Sequence, residues 1–267
     1  MTRLFALCLT LLPGTALAEA VTSLAPMRAA DVVILGEIHD NPAHHAWQAE
    51  ALVALAPAAV VFEMLSPGQA ARITPELRAD PDALAEAVDW AGSGWPDFAL
   101  YRPVFEALGG AAIFGAALDY ADVRGAVAEG AAARFAGDAT VFGLDRALPS
   151  DQQARREAMQ AEAHCNALPE ALLPGMVEAQ RLRDAGFAAA VLAALEATGG
   201  PVVLITGNGH ARTDWAVPRV LEQVAPGLSV VSVAQFEAEP EPGVPFDFWR
   251  VTEPATREDP CAVFHGG

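Results

Sequence analysis

The run Asp31-Val32-Val33-Ile34-Leu35 ends in Gly36-Glu37-Ile38-His39, so a stretch made for burial gives way at once to a carboxylate and an imidazole. A short, non-alternating apolar run bounded by glycine reads as a strand covered on both faces. The pattern recurs twice. Glu63 follows Val60-Val61-Phe62, and His210 follows Val202-Val203-Leu204-Ile205 through Thr206-Gly207-Asn208-Gly209. In a parallel sheet the carboxyl ends of all strands open on one crevice. Three strands that end this way therefore predict one polar cluster at one end of a sheet.

Five apolar runs read as buried strands, at about 31–36, 58–63, 111–117, 201–206 and 228–233. Helical stretches separate them, Pro42 to Ala56 and Ala211 to Val224 being the clearest. Alternation of this kind predicts an α/β fold, a mostly parallel central sheet flanked by helices. Residues 66–108 and 148–197 hold no strand pattern. Within the second, one helix is expected from Ser150 to about Cys165 and another from about Gly175 to Ala197. These insertions are expected to build a side wall or lid over the crevice. A single domain would span 19–236, and the Pro- and acid-rich tail 237–267 is expected to be irregular.

The first eighteen residues have the order of a secretory signal peptide. Arg3 supplies positive charge, Leu4 to Leu12 an apolar stretch, and Ala16-Leu17-Ala18 a small-residue cleavage site. The stretch is well short of the roughly 20 apolar residues of a membrane span. The expectation is an exported, periplasmic protein cleaved after Ala18. A formal charge of −18 argues against nucleic acid or an anionic membrane surface as partner. Beyond the leader two cysteines remain, Cys165 and Cys261. In an oxidising compartment an even number favours a disulfide; two buried free thiols are the alternative.

Glu37, His39, Glu63 and His210 are the candidate chemical groups. Two carboxylates and two imidazoles could bind a divalent metal such as zinc or manganese. Without metal, a carboxylate–imidazole pair could serve as general base on water. His44 and His45 fall on the first turns of the following helix, one expected toward the crevice and the other toward solvent. Arg212 could hold an anionic ligand or Glu63. Tyr101 and Tyr120 are the two tyrosines of the chain, and Asp119-Tyr120 closes the third strand. Gln180 or Arg183 could turn toward the site, although a solvated helix face accounts for them as well. His164 reads as local structure beside Cys165, and His265 as tail.

Five segments together carry a resemblance. They are Leu35-Gly36-Glu37-Ile38-His39-Asp40-Asn41-Pro42-Ala43-His44-His45, Phe62-Glu63-Met64, Ser93-Gly94-Trp95-Pro96, Gln180-Arg181-Leu182-Arg183-Asp184-Ala185 and Gly207-Asn208-Gly209-His210-Ala211-Arg212. In this order the chain resembles the ChaN haem-binding uptake proteins, within a superfamily that includes the erythromycin esterases and the Tiki and TraB proteins. The resemblance implies an α/β fold with a helical side region, an envelope protein of iron or haem uptake, and a homodimer around haem. It implies haem ligation by tyrosine with histidine nearby; the chain offers Tyr101 and Tyr120, neither matched to the family's ligand position, and His44, His45 and Arg212 complete the candidate cofactor-binding residues. Relatives are often lipoproteins, and no lipid-attachment cysteine stands at the expected cleavage site. The Glu37, His39, Glu63 and His210 set is what hydrolases of the superfamily would use, so a hydrolase is the alternative.

Overall fold

The computed structural model describes residues 18–259 with 261 and 262; the expected leader, all but Ala18, and His265 lie outside the described residues. Seven strands form one sheet: β1 (Glu19–Ala20), β2 (Val32–Glu37), β3 (Ala59–Phe62), β4 (Ala112–Gly115), β5 (Val202–Gly207), β6 (Val230–Phe236) and β7 (Phe248–Val251). Their spatial order is β1-β7-β6-β2-β5-β3-β4, and every pair is parallel. The central strands β2 and β5 are buried along their whole length, which is why their sequences carry no polar alternation. Side chains alternate between two cores. Val33, Leu35, Val60, Phe62, Val203 and Ile205 pack on one face, and Val32, Ile34, Val61, Val202 and Leu204 on the other. Each fully buried side chain of this kind contributes about 1.5–3 kcal/mol.

Twelve helices surround the sheet among the described residues. They are α1 (Ala25–Arg28), α2 (Pro42–Leu55), α3 (Pro67–Ala70), α4 (Pro75–Arg78), α5 (Pro81–Ala87), α6 (Phe98–Glu106), α7 (Tyr120–Glu129), α8 (Ala131–Arg134), α9 (Ser150–Ala163), α10 (Leu173–Thr198), α11 (Asn208–Ala211) and α12 (Val217–Val224). Asn41 starts α2, its side-chain oxygen accepting from the amides of Ala43 and His44, with Pro42 in the first turn. Helices α2 and α6 cover the first face through Trp47, Leu52, Tyr101, Val104 and Phe105. The long α10 lies over the second, through Phe187, Ala188, Val191 and Ala194. Gly175 lets α7 close on α10, since a Cβ there would lie 2.2 Å from the carbonyl oxygen of Val127.

The tail differs from the expectation. Residues Phe248–Val251 form β7, which pairs with β6 and in turn carries β1. Neither of these short strands has a recognisable apolar run; the open edge of β6 supplies the hydrogen-bond partners that order β7, and β7 those that order β1. Beyond β7, Arg257 forms ion pairs with Asp40 and Glu237. Cys165 and Cys261 are joined by a disulfide across a sequence separation of 96, tying the tail to the end of α9. Among the described residues no helix is long and apolar enough to cross a membrane.

Candidate functional site

The pairing register assembles the site. Glu37 pairs with Gly207, and Phe62 pairs with Ile205, so Glu37, Glu63 and the loop that leads to His210 reach the same edge. Glu63 Oε2 accepts from Thr206 Oγ1 at 2.6 Å and from the Gly207 amide at 2.8 Å. Its Oε1 lies 3.7 Å from His210 Nε2. His210 Nδ1 stands 2.7 Å from Asp184 Oδ1 on α10. On the other side His39 Nδ1 stands 2.8 Å from Glu37 Oε1. A Cβ on Gly207 would fall 2.8 Å from His39 Nε2 and 3.8 Å from Glu63 Oε2. Only a glycine allows this imidazole to approach so closely.

Two imidazoles thus present Nδ1 to a buried carboxylate and turn their far edges toward Glu63. A carboxylate at Nδ1 fixes tautomer and ring plane, and leaves Nε2 for chemistry. Burial pushes Glu37 upward, yet hydrogen bonds from His39 and His45 outweigh it and hold the carboxyl well below its usual range. Tyr101 Oη at 2.5 Å and Gln48 Nε2 at 2.7 Å also donate to it. Burial likewise raises Glu63, but His210, His39, Thr206 and Gly207 hold it low. Burial works against protonation of His39; Glu37 and Glu63 overcome it and raise its pKa. Burial raises Asp184 above its ordinary value, against the pull of His210.

The geometry corrects several expectations. Both His44 and His45 are buried. His44 Nδ1 accepts from the Ile38 amide, and His45 lies against Tyr101 at 4.0 Å between ring centroids. Burial depresses the pKa of His44 to about 4. These residues hold the Glu37 loop. Arg212 turns away from Glu63, making a two-pronged ion pair with Asp214 and stacking on Trp215 at 3.9 Å. The divalent-metal reading lacks support: among the described residues no three His, Cys, Asp or Glu side chains are grouped to hold an ion. The reason is prior commitment. Glu37 is surrounded by donors, one Glu63 oxygen is taken by Thr206 and Gly207, and each Nδ1 is engaged.

Tyr101 is 0% exposed, whereas Tyr120 is 73% exposed. Tyr120 opens a groove of about 460 Å³ with three helical walls. Tyr120, Val123, Arg124 and Val127 come from α7, Met159, Gln160 and Ala163 from α9, and Met176, Ala179, Gln180 and Arg183 from α10. Tyr120, Val123 and Arg183 also border a cavity of about 210 Å³ that runs in to Trp95, Phe187 and Glu63. His164, read from sequence as local structure, lines the groove, its Nδ1 bonded to the Gln160 carbonyl. Asp184 and Thr206 join the site beyond the residues that the sequence pattern marks. The available signal was spacing, since Gln180 and Asp184 lie one helical turn apart and both reach His210.

Comparison with known proteins fits this architecture. Residues 23–221 match the family described as haem-binding uptake, Tiki superfamily, ChaN. The solved structure titled cofacial heme binding to ChaN of Campylobacter jejuni superposes with a TM-score of 0.60 at 18% identity, covering 82% of this chain and 86% of that one. The type III effector HopBA1 gives 0.40 at 14% identity, covering 77% and 76%. A succinoglycan biosynthesis protein gives 0.36 at 13%, covering 80% and 68%. No curated protein sequence matches the chain significantly. With most of its length matched by that one family, from before β2 into α12, the chain belongs to the ChaN haem-binding uptake family of the Tiki superfamily.

Proposed function

We propose that this chain is an exported haem-binding protein of iron or haem uptake, and that haem lies in the groove between α7, α9 and α10 with Tyr120 as the iron ligand. The observation that carries the reading is the contrast between the two tyrosines. Tyr101 is enclosed and donates to Glu37, whereas Tyr120 is open to the groove. A tyrosine oxygen is an established axial ligand of haem iron. Val123, Val127, Met159, Met176 and Ala179 offer the apolar surface that a porphyrin face requires, and Arg124 and Arg183 offer partners for its propionates. The residues therefore fit the group. Haem would supply the iron chemistry; the chain supplies the oxygen ligand and the apolar enclosure. The groove is open on one side, which supports a homodimer in which a second copy covers it. The Cys165–Cys261 bridge supports an oxidising, periplasmic location.

The test is titration with haemin followed at the Soret band. Tyr120→Phe should weaken binding at least tenfold and change the band position, while Tyr101→Phe should bind as the wild type does. Unchanged binding by Tyr120→Phe would refute the ligand, and no saturable binding by the wild type would refute the function. Light scattering with and without haemin reads the dimer.

A second reading is a hydrolase centred on Glu63, His210, His39 and Glu37. Two carboxylate-oriented imidazoles facing a third carboxylate, at the end of a cavity that reaches the surface, support it. Screening against esters, amides and peptides tests it. Activity that survives Glu63→Gln and His210→Ala would refute the assignment.

A further inference from the structure

We propose that a second, separate site binds a small hydrogen-bearing oxyanion, of the hydrogencarbonate or inorganic phosphate class, in a polar cavity behind His210. The cavity measures about 160 Å³ and lies between α9, α10, the 142–148 segment and α12. By volume it accommodates about five waters, enough for a trigonal or tetrahedral oxyanion.

Most of the polar groups that line the cavity are committed to protein partners. Arg181 is bonded to Glu178 and to the carbonyls of Gly143 and Arg146. Asp214 is held by Arg212, Arg219 by Glu222, and Gln223 donates to Val141. Four deeply buried atoms have no hydrogen-bond partner among the described residues: Arg156 Nε and Nη1, Trp215 Nε1 and Asp184 Oδ2. Their residues are 5%, 6% and 1% exposed, respectively. Arg156 is anchored, since Nη2 donates to the Trp215 carbonyl at 2.9 Å and the guanidinium lies 5.3 Å from the Trp215 ring. Its burial lowers its pKa to about 10, so it keeps its charge at neutral pH.

Unpaired donors and acceptors at such depth call for a partner. Three unpaired donor nitrogens and one carboxylate oxygen specify a complementary molecule. It needs oxygens that accept from Arg156 and Trp215, and one O–H that donates to Asp184. A cation would meet Arg156. Sulfate or chloride would accept from Arg156 but would offer the Asp184 carboxylate no hydrogen. The other oxygen of Asp184 is bonded to His210, so an occupant would stand one carboxylate behind the cluster.

The experiment is calorimetric titration of the full mature protein at neutral pH with inorganic phosphate and, in a separate arm, with hydrogencarbonate. Sulfate and chloride serve as comparison anions. The expected result is saturable one-to-one binding of phosphate or hydrogencarbonate, at least tenfold tighter than sulfate, with a rise in melting temperature as the anion is added. The arm that binds more tightly identifies the source. Arg156→Met should abolish both signals. Trp215→Phe keeps the backbone carbonyl that anchors Arg156 and should weaken binding several-fold, which covers an Arg156→Met protein that fails to fold. No saturable binding and no melting shift in the wild type would overturn the proposal, with water as the occupant. Equal affinity for sulfate, or wild-type affinity in Trp215→Phe and Arg156→Met, would overturn it as well.

Discussion

Tyr101→Phe isolates one hydrogen bond at the centre of the fold. The hydroxyl donates to Glu37 Oε1 at 2.5 Å, and Glu37 is a buried carboxylate held in its charged form. A hydrogen bond to a charged group contributes about 1.5–3 kcal/mol net. The ring itself stays, packed 4.0 Å from His45 and 5.0 Å from Trp90 between centroids, so no cavity is added. Glu37 keeps His39 and Gln48 as donors, which holds the loss to about 2 kcal/mol. For a chain of this size that corresponds to a melting temperature lower by about 4–8 °C. Urea denaturation should show the midpoint falling with the slope unchanged, while haemin titration stays at wild-type affinity. An unchanged midpoint would refute the claim that the hydroxyl supports a charged Glu37. Loss of the Soret band at unchanged stability would make Tyr101 the iron ligand and overturn the assignment to Tyr120.

Acid should destabilise the fold in two windows. His44 has its folded pKa depressed to about 4 by burial, so the unfolded chain takes up the proton first. Its contribution is intact above about pH 6.5 and is lost as pH falls toward 4, to a total of about 3 kcal/mol. His44→Asn keeps an acceptor for the Ile38 amide and should flatten stability between pH 6.5 and 4 in urea midpoints; an unaltered slope would count against it. Glu37, depressed by its donors, adds a second loss only below about pH 4.3. Reducing Cys165–Cys261 with a dithiol, or replacing both by serine, should lower stability by at most about 4–5 kcal/mol through chain entropy. An unchanged melting temperature would refute a chain-entropy contribution from this bridge.

Much of the sheet is legible in the chain because burial on both faces leaves uninterrupted apolar runs, and β2, β3 and β5 carry them up to the residues that matter. Their parallel course follows from the helices between them, and with it the meeting of His39, Glu63 and His210. The short strands β1 and β7 are not legible, since two to four residues carry no period and owe their form to a neighbour's open edge. Asp184 is harder still. It sits within a charged stretch of α10 that looks solvated, and it becomes 1% exposed only because α10 crosses the second face of the sheet.

The order of residues by itself determined the layered architecture, the glycine that admits His39, and the acids and imidazoles that end the strands. Tertiary structure alone decided which tyrosine is enclosed and which opens on the groove, and that Arg156 and Trp215 keep unpaired donors in a buried cavity. The physical reason is range. Hydrophobic period and turn chemistry act over a few residues, whereas burial and charge pairing depend on elements more than a hundred positions apart, as between Glu63 and Thr206.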